Sequence, residues 1–149
     1  MSKIHVLGRL VLPTNGHILL ARKVGQAYSY LPGGHVEHGE SVKQALQREI
    51  QEELGKAVEV WRFVAALEHS YEKGGEIARH EVNFIFMGRL PGYNLTKTPK
   101  PIEANLEFFW HPVDKLKEVN LQPSPLIHML WELYEMGATL KWASTMDAY

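Results

Sequence analysis

Runs of aliphatic and β-branched residues open the chain and predict strands. The first two runs cover residues 3–12 and 17–24, with Asn15-Gly16 between them. An Asn-Gly pair in this position favours a tight turn, because both residues tolerate a positive φ. We therefore expect the first two strands to pair as a hairpin. Three later runs predict further strands, over residues 57–69, 79–90 and 106–111.

Two segments follow a helical period instead. Apolar residues recur every three or four positions between Ser41 and Leu54, where Ser41 can cap the N-terminus and Gly55 can end the helix. A second helix is predicted to begin at Pro125, because proline suits the first helical turn, and to end near Gly137. The order of hairpin, helix, strands and terminal helix predicts an α/β domain with a mixed sheet and helices on both faces.

Composition narrows the class of protein. A chain of 149 residues is typical of one domain, here residues 1–149. The 16 Lys and Arg residues against 17 Asp and Glu residues do not favour binding to a nucleic-acid polymer. The absence of cysteine excludes disulfides and thiolate metal sites. The chain has no apolar run of membrane-spanning length and a polar start, so we expect a cytoplasmic protein with no membrane partner.

Three glutamates of the first predicted helix lie on one side of it. Glu49, Glu52 and Glu53 fall within an arc of roughly 100°, given 3.6 residues per turn. Each pair of like charges at this spacing costs about 0.2–0.5 kcal/mol when exposed. Arg48 can reach Glu52, but one guanidinium cannot neutralise three carboxylates. A hard divalent cation such as Mg²⁺ or Mn²⁺ can, because carboxylate oxygens are its preferred ligands.

The alternative interpretation is a solvated acidic face, the usual fate of glutamates on a helix surface. The loop before the helix favours the cation. Gly33 and Gly34 leave the backbone bare, so its amides can approach phosphate oxygens closely. We therefore expect a phosphate-bearing substrate to bind at these glycines.

Residues 34–55 make the chemistry specific. They read "GHVEHGESVKQALQREIQEELG", which resembles the signature of the Nudix hydrolase family at every fixed position. Lys56 stands where an apolar residue usually follows. The flanking "LPGG" and "FFWHPVDKL" are also similar to elements of the family. The resemblance implies an α/β/α sandwich with a mixed β-sheet.

The family resemblance also implies an activity. Nudix hydrolases cleave the pyrophosphate bond of a nucleoside diphosphate linked to another moiety, with Mg²⁺ or Mn²⁺. The substrate implied is a small nucleotide: a nucleotide sugar such as ADP-ribose, a dinucleoside polyphosphate or a nucleoside triphosphate. By resemblance, Arg48 holds a carboxylate in place and Glu40 braces the loop–helix junction. The implied metal ligands are Glu49, Glu52, Glu53 and the carbonyl of Gly34.

The general base is left open among several acids. Glu52 and Glu53 belong to the catalytic set by resemblance, and Glu53 is the base in some family members. In others the base lies on the loop facing the helix, where Glu103 is our preferred candidate. Glu107 and Glu81 are weaker candidates.

Outside the glutamate cluster, Arg22 is the clearest substrate-binding candidate. It ends the second predicted strand near the glycine loop, where it can contact a phosphate or be an ordinary strand-end arginine. His35 and His38 lack a third soft ligand, so a transition-metal site there is not favoured.

Aromatic residues are interpreted mainly as packing groups. Those on strands are expected in the core: Trp61, Phe63, Phe84 and Phe86. A stripe on the terminal helix is expected to pack on the sheet, with a homodimer contact left open: Leu126, Ile127, Leu130, Trp131 and Tyr134.

Two other functions compete with hydrolysis. A nucleotide-binding sensor that has lost turnover would usually lack some of the acidic residues, and here all are present. An isoprenoid diphosphate isomerase of the same fold would need a catalytic cysteine, which this chain lacks.

Overall fold

The computed structural model describes residues 2–137 and 140–146. The strands are β1 Ile4–Val11, β2 Pro13–Thr14, β3 His17–Lys23, β4 Gly33–His35, β5 Glu59–Lys73, β6 Glu76–Arg89, β7 Leu106–Pro112 and β8 Lys141–Ser144. The helices are α1 Val42–Leu54 and α2 Pro125–Met136, with a 3-10 helix over Val113–Val119.

The strands form two sheets. The larger has the order β4-β1-β6-β5-β8 and is mixed, since β1 runs parallel to β6 and antiparallel to β4. The smaller has the order β2-β3-β7 and is antiparallel. Neither helix in the described part of the chain has the length and apolar character needed to cross a membrane.

The two helices cover opposite faces of the larger sheet. Val11 and Ile85 join the core cluster that includes α2, whereas their strand neighbours Leu10 and Phe86 pack in the cluster beneath α1. Successive residues of a strand point to opposite faces, so the sheet lies between two apolar layers. This confirms the predicted α/β/α sandwich.

The predicted hairpin is only partly right. Asn15 and Gly16 form the turn, with φ of 43° and 75°. However, only the two residues of β2 pair with β3 there, while β1 pairs along its whole length with β6. Pro13 has no N–H to continue the ladder with β6, so the chain leaves the first sheet at this point. The expectation that residues 3–12 pair with 17–24 was wrong for β1.

Helix α1 begins and ends where the sequence predicts. The Ser41 hydroxyl accepts from the Gln44 N–H at 3.0 Å, and the Gln44 side chain accepts from the Ser41 N–H at 2.8 Å. This reciprocal pair satisfies two N-terminal donors. At the other end Gly55 adopts a left-handed φ of 67°. The helix packs tightly on β1, where a Cβ at Gly8 would lie 3.1 Å from Leu46.

Some aromatic residues lie outside the predicted core. Trp61 is 50% exposed, which contradicts its predicted place in the core. Phe63, Phe84 and Phe86 are half-buried and pack on one another, with 5.6 Å between the ring centroids of Phe63 and Phe86.

The stripe on α2 divides in the same way. Leu126 and Leu130 are buried as expected, and Ile127 is half-buried against the same core. Trp131 and Tyr134 are exposed, which contradicts their predicted packing on the sheet. They lie on the outer side of the helix, away from the apolar layer that Leu126 and Leu130 enter.

Candidate active site

Arg48 organises the acidic residues of α1. Its guanidinium donates to both carboxylate oxygens of Glu40, at 2.8 and 2.9 Å, and to the carbonyl of His35 at 2.9 Å. It also donates to Glu49 at 3.0 Å and to Glu52 at 3.3 Å. The hydrogen bonds from Arg48 lower the pKa of Glu40 to about 2. One side chain thus ties the helix to the loop before it, as the interpretation of Glu40 and Arg48 requires.

The glycine loop lies directly against the first of the acids. A Cβ at Gly34 would lie 2.4–2.7 Å from the carboxylate atoms of Glu49, closer than atoms can approach. Gly33 has a φ of 141°, and its Cβ would overlap the carbonyl oxygen of Gly8 at 2.1 Å. Only glycine fits at position 33, whereas a side chain at position 34 would have to displace the Glu49 carboxylate, so the bare backbone of the loop lies against Glu49.

Glu53 is the most strongly perturbed carboxyl group of the site. Burial, followed by the neighbouring Glu49 carboxylate, raises its pKa to about 8. Burial also raises the pKa of Glu49, although Arg48 opposes this. Glu52 is more open, with 57% of its side chain exposed. Negative charge is therefore disfavoured at Glu49 and Glu53 unless a cation offsets it.

The donors of this site suit a hard divalent cation. They are carboxylate oxygens beside a backbone carbonyl. A side chain at Gly34 would collide with the Glu49 carboxylate. No three His, Asp or Glu side chains within residues 2–137 and 140–146 are already arranged as a metal site. Glu49 and Glu52 instead accept hydrogen bonds from Arg48. Coordination would draw these two carboxylates partly away from it.

The loop between β6 and β7 brings Glu103 to the site. The Ile102 N–H donates to the Glu53 carbonyl at 2.7 Å, which fastens the loop to the end of α1. The charge of Glu103 adds to the causes that raise the pKa of Glu53. The exposed Glu103 side chain therefore lies near the glutamate cluster, but its role as general base stays a prediction.

The other two candidate bases are paired with arginines. Glu107 accepts from Arg22 at 2.5 Å. Glu81 is 8% exposed and accepts from Arg79 at 2.8 Å and from Asn83 at 3.1 Å. Burial alone would raise the pKa of Glu81, but these hydrogen bonds hold it below its ordinary value. Both acids are thus engaged as acceptors.

Arg22 has partners of its own. Besides the pairing with Glu107, its guanidinium lies over the ring of Phe109, 4.7 Å from the centroid. These contacts suit an ordinary strand-end arginine. The predicted phosphate contact of Arg22 stays a prediction.

Arg9 was not predicted as a site residue. This residue lies in the middle of β1, where Leu7, Leu10 and Val11 are buried. Its charge acts on Glu49 and Glu53, lowering the pKa of each against the effect of burial. The signal that could have found it is an arginine inside the apolar run "VLGRLVL", where a charged residue is unexpected.

A mixed sheet between two helices, with the acids of one helix facing a glycine loop, defines a Nudix-type fold. The sequence model described as NUDIX domain matches residues 4–130. The chain belongs to this family.

Individual relatives agree with the assignment. The human protein named 8-oxo-dGDP phosphatase NUDT18 is 34% identical over 111 residues, which are 73% of this chain and 30% of the human protein. The CTP pyrophosphohydrolase of Escherichia coli strain K12 is 38% identical over 81 residues, 52% of this chain and 58% of that protein. The chain therefore spans about a third of the human relative. The crystal structure of the MutT protein from Methanosarcina mazei superposes with a TM-score of 0.70 at 18% identity, covering 91% and 96% of the two chains.

Proposed function

We propose that the protein is a metal-dependent hydrolase that cleaves the pyrophosphate bond of a nucleoside diphosphate linked to another moiety. One observation supports this most: Glu49 lies against Gly34 with Glu53 close enough to feel its charge, and both have raised pKa values that a bound cation would lower. Mg²⁺ or Mn²⁺ fits this set of oxygen donors. Such an ion would polarise the diphosphate and stabilise charge on the attacking and leaving oxygens.

The residues of the chain have distinct parts in this proposal. Glu49, Glu52, Glu53 and the Gly34 carbonyl hold the cation. Arg48 keeps Glu49 and Glu52 oriented, and Gly33 and Gly34 leave room for a phosphate beside the backbone. Glu103 or Glu53 accepts the proton of the attacking water; of these, Glu103 is exposed and free to reach it. Arg22 remains a second phosphate-binding candidate.

The substrate class is a small nucleotide rather than a nucleic-acid polymer. Nucleotide sugars such as ADP-ribose, dinucleoside polyphosphates and nucleoside triphosphates are the classes that the family suggests. The names of two relatives, 8-oxo-dGDP phosphatase and CTP pyrophosphohydrolase, favour nucleoside di- and triphosphates among them. We further propose that the chain acts as one cytoplasmic domain. The exposed Trp131 and Tyr134 on α2 support a homodimer.

The test is hydrolysis of a substrate panel. The purified protein is incubated with Mg²⁺ or Mn²⁺ and representatives of each class, and nucleoside monophosphate, phosphate and pyrophosphate are measured. We expect turnover of one class that disappears with a chelator and falls at least about 100-fold in Glu53→Gln. Glu72→Gln, an exposed glutamate of β5, is the matched control.

The alternative is a nucleotide-binding sensor on the same fold. The intact set of acidic residues weighs against it. Nucleotide binding that depends on metal, without turnover of any class in the panel, would favour the sensor and overturn the proposed hydrolase.

A further inference from the structure

Arg9 forms no ion pair with a carboxylate among residues 2–137 and 140–146. Its side chain is half-buried, and one of its guanidinium nitrogens donates to the Leu31 carbonyl at 3.0 Å. The guanidinium also lies 5.5 Å from the centroid of the Tyr30 ring. A guanidinium has five N–H donors, so these contacts leave most of them without a protein acceptor in the described part of the chain.

The other partly buried arginines have carboxylate partners. Arg22, Arg48 and Arg79 each form an ion pair with a glutamate, at distances of 2.5–2.8 Å. Arg9 forms no such pair within the described residues, although it lies in the central part of the larger sheet. Keeping an unpaired charge partly away from water is costly. An anion that binds beside Arg9 would offset this cost.

The position of Arg9 indicates which anion this is. It lies opposite Gly33 in the pairing of β1 with β4, one residue from the Gly8–Gly34 pair. The carboxylates of Glu81, Glu53 and Glu49 all act on the Arg9 charge, so the guanidinium lies within electrostatic range of two of the proposed metal ligands.

We propose that Arg9 is a substrate-binding residue that donates to the oxygens of the diphosphate. This inference rests on the proposed function, because it requires a diphosphate in the site. Arg9 would offset the part of the diphosphate charge that the cation does not neutralise. The planar guanidinium matches the geometry of a phosphate and can donate two parallel hydrogen bonds to it. Leu31 and Tyr30 hold the group in place and leave its remaining donors for the substrate.

The test uses methylenediphosphonate, a diphosphate analogue whose P–C–P bridge resists hydrolysis. Its affinity is measured by isothermal titration calorimetry in excess Mg²⁺. We expect Arg9→Ala to weaken binding by about 10- to 100-fold, the equivalent of one or two charge-assisted hydrogen bonds. Arg89→Ala, which removes an exposed arginine from the end of β6, should change affinity less than about threefold. Should Arg9→Ala fail to fold, Arg9→Gln removes the charge but retains a donor for the Leu31 carbonyl.

A second readout separates substrate binding from a purely structural role. Guanidinium ions at millimolar concentration should restore binding to Arg9→Ala but not raise that of the wild-type protein. Unchanged affinity in Arg9→Ala would overturn the proposal. So would a wild-type protein that fails to bind the diphosphonate.

The proposed hydrolase activity is tested separately, by turnover of the substrate panel. If the diphosphonate binds through Arg9 but no substrate is hydrolysed, the arginine assignment stands and the hydrolase does not. If a substrate is hydrolysed and Arg9→Ala binds the diphosphonate like the wild type, the hydrolase stands and the role of Arg9 does not.

Discussion

At the scale of single residues, Glu53 and Gly34 decide the electrostatics of the site. Glu53 is half-buried beside another carboxylate, so its charged form is disfavoured until a cation is close. Gly34 provides the space in which that cation would be shared with Glu49, because any side chain would occupy it. Glu49 therefore links the two residues, since it lies against Gly34 and its charge raises the pKa of Glu53.

The raised pKa of Glu53 predicts how the metal-free protein responds to pH. Its carboxyl group titrates near 8 in the folded chain and near its ordinary 4.5 when unfolded. Between these values the folded state binds more protons, so the free energy of unfolding should fall as pH rises. The decrease cannot exceed about 5 kcal/mol for a shift of this size. Urea titrations with chelator from pH 5 to 8.5 measure it.

Glu53→Gln is the matched variant for this experiment. Glutamine does not titrate, so the variant should lose most of the decrease in the free energy of unfolding. Its stability relative to the wild-type protein should therefore be greater at pH 8 than at pH 5. An identical pH dependence in both proteins would show that Glu53 titrates normally.

Gly34→Ala tests the space beside Glu49. The added methyl group should displace the Glu49 carboxylate and reduce turnover by about 100-fold, with weaker Mn²⁺ binding followed by electron paramagnetic resonance. Gly39→Ala is the control, because it strains the same loop at a φ of 82° but meets no atom within 4 Å. Equal losses in the two variants would assign the effect to loop strain.

The contrast between Arg22 and Arg9 shows what residue-level prediction lacks. Arg22 was predictable as a basic residue near the glycine loop. The sequence cannot indicate that Glu107, 85 positions away, accepts from it. Arg9 looks like an isolated interruption of a strand until the pairing of β1 with β4 places it opposite Gly33 of the glycine loop. Both outcomes depend on contacts between distant parts of the chain.

At the scale of elements, the sequence predicts the bounds of a helix well but does not predict which strands pair. The bounds of α1 were predictable because Ser41, Gln44 and Gly55 act within a few residues of the helix ends. The strand β8 was not predicted, and its pairing with β5 joins residues about 76 positions apart. Likewise, one of the two partners of β1 is the strand β6, about 76 residues later. No short sequence motif records such pairings.

The capping box of α1 gives a prediction at this scale. Ser41→Ala removes the acceptor of the Gln44 N–H and should lower the free energy of unfolding by about 1 kcal/mol. Ser124 is a matched control, because it precedes α2 without a side-chain capping bond. Ser124→Ala should change stability by less than about 0.5 kcal/mol. Equal effects in urea denaturation would contradict the role of the cap.

At the scale of the whole molecule, the larger sheet separates two layers that differ in polarity. Its α2 side is packed around apolar side chains, whereas the α1 side combines an apolar base with the charged edge at Arg48. The sandwich was predictable from the family signature, because residues 34–55 specify the loop, the helix and their contact. The stability of the charged edge, by contrast, depends on what binds there.

Metal binding should therefore stabilise the whole fold. A ligand that binds only the folded state at 100 times its Kd adds about 2.7 kcal/mol, which corresponds to roughly 5–10 °C in Tm for a chain of this size. We expect Mn²⁺ to raise Tm by this amount at pH 8 and a chelator to reverse it. Differential scanning calorimetry of the variant Glu49→Gln should show a much smaller rise, and the control Glu72→Gln the full one. A full rise in Glu49→Gln would place the ion elsewhere.

The hydrogen bond from the Ile102 N–H to the Glu53 carbonyl has an implication for the diversity of this scaffold. It joins the loop to the helix through main-chain atoms alone. Exposed side chains of the loop, such as Thr98 and Lys100, can therefore be exchanged without breaking this bond to α1. We therefore expect exposed positions within residues 91–101 to tolerate replacement while residues 34–55 stay unchanged.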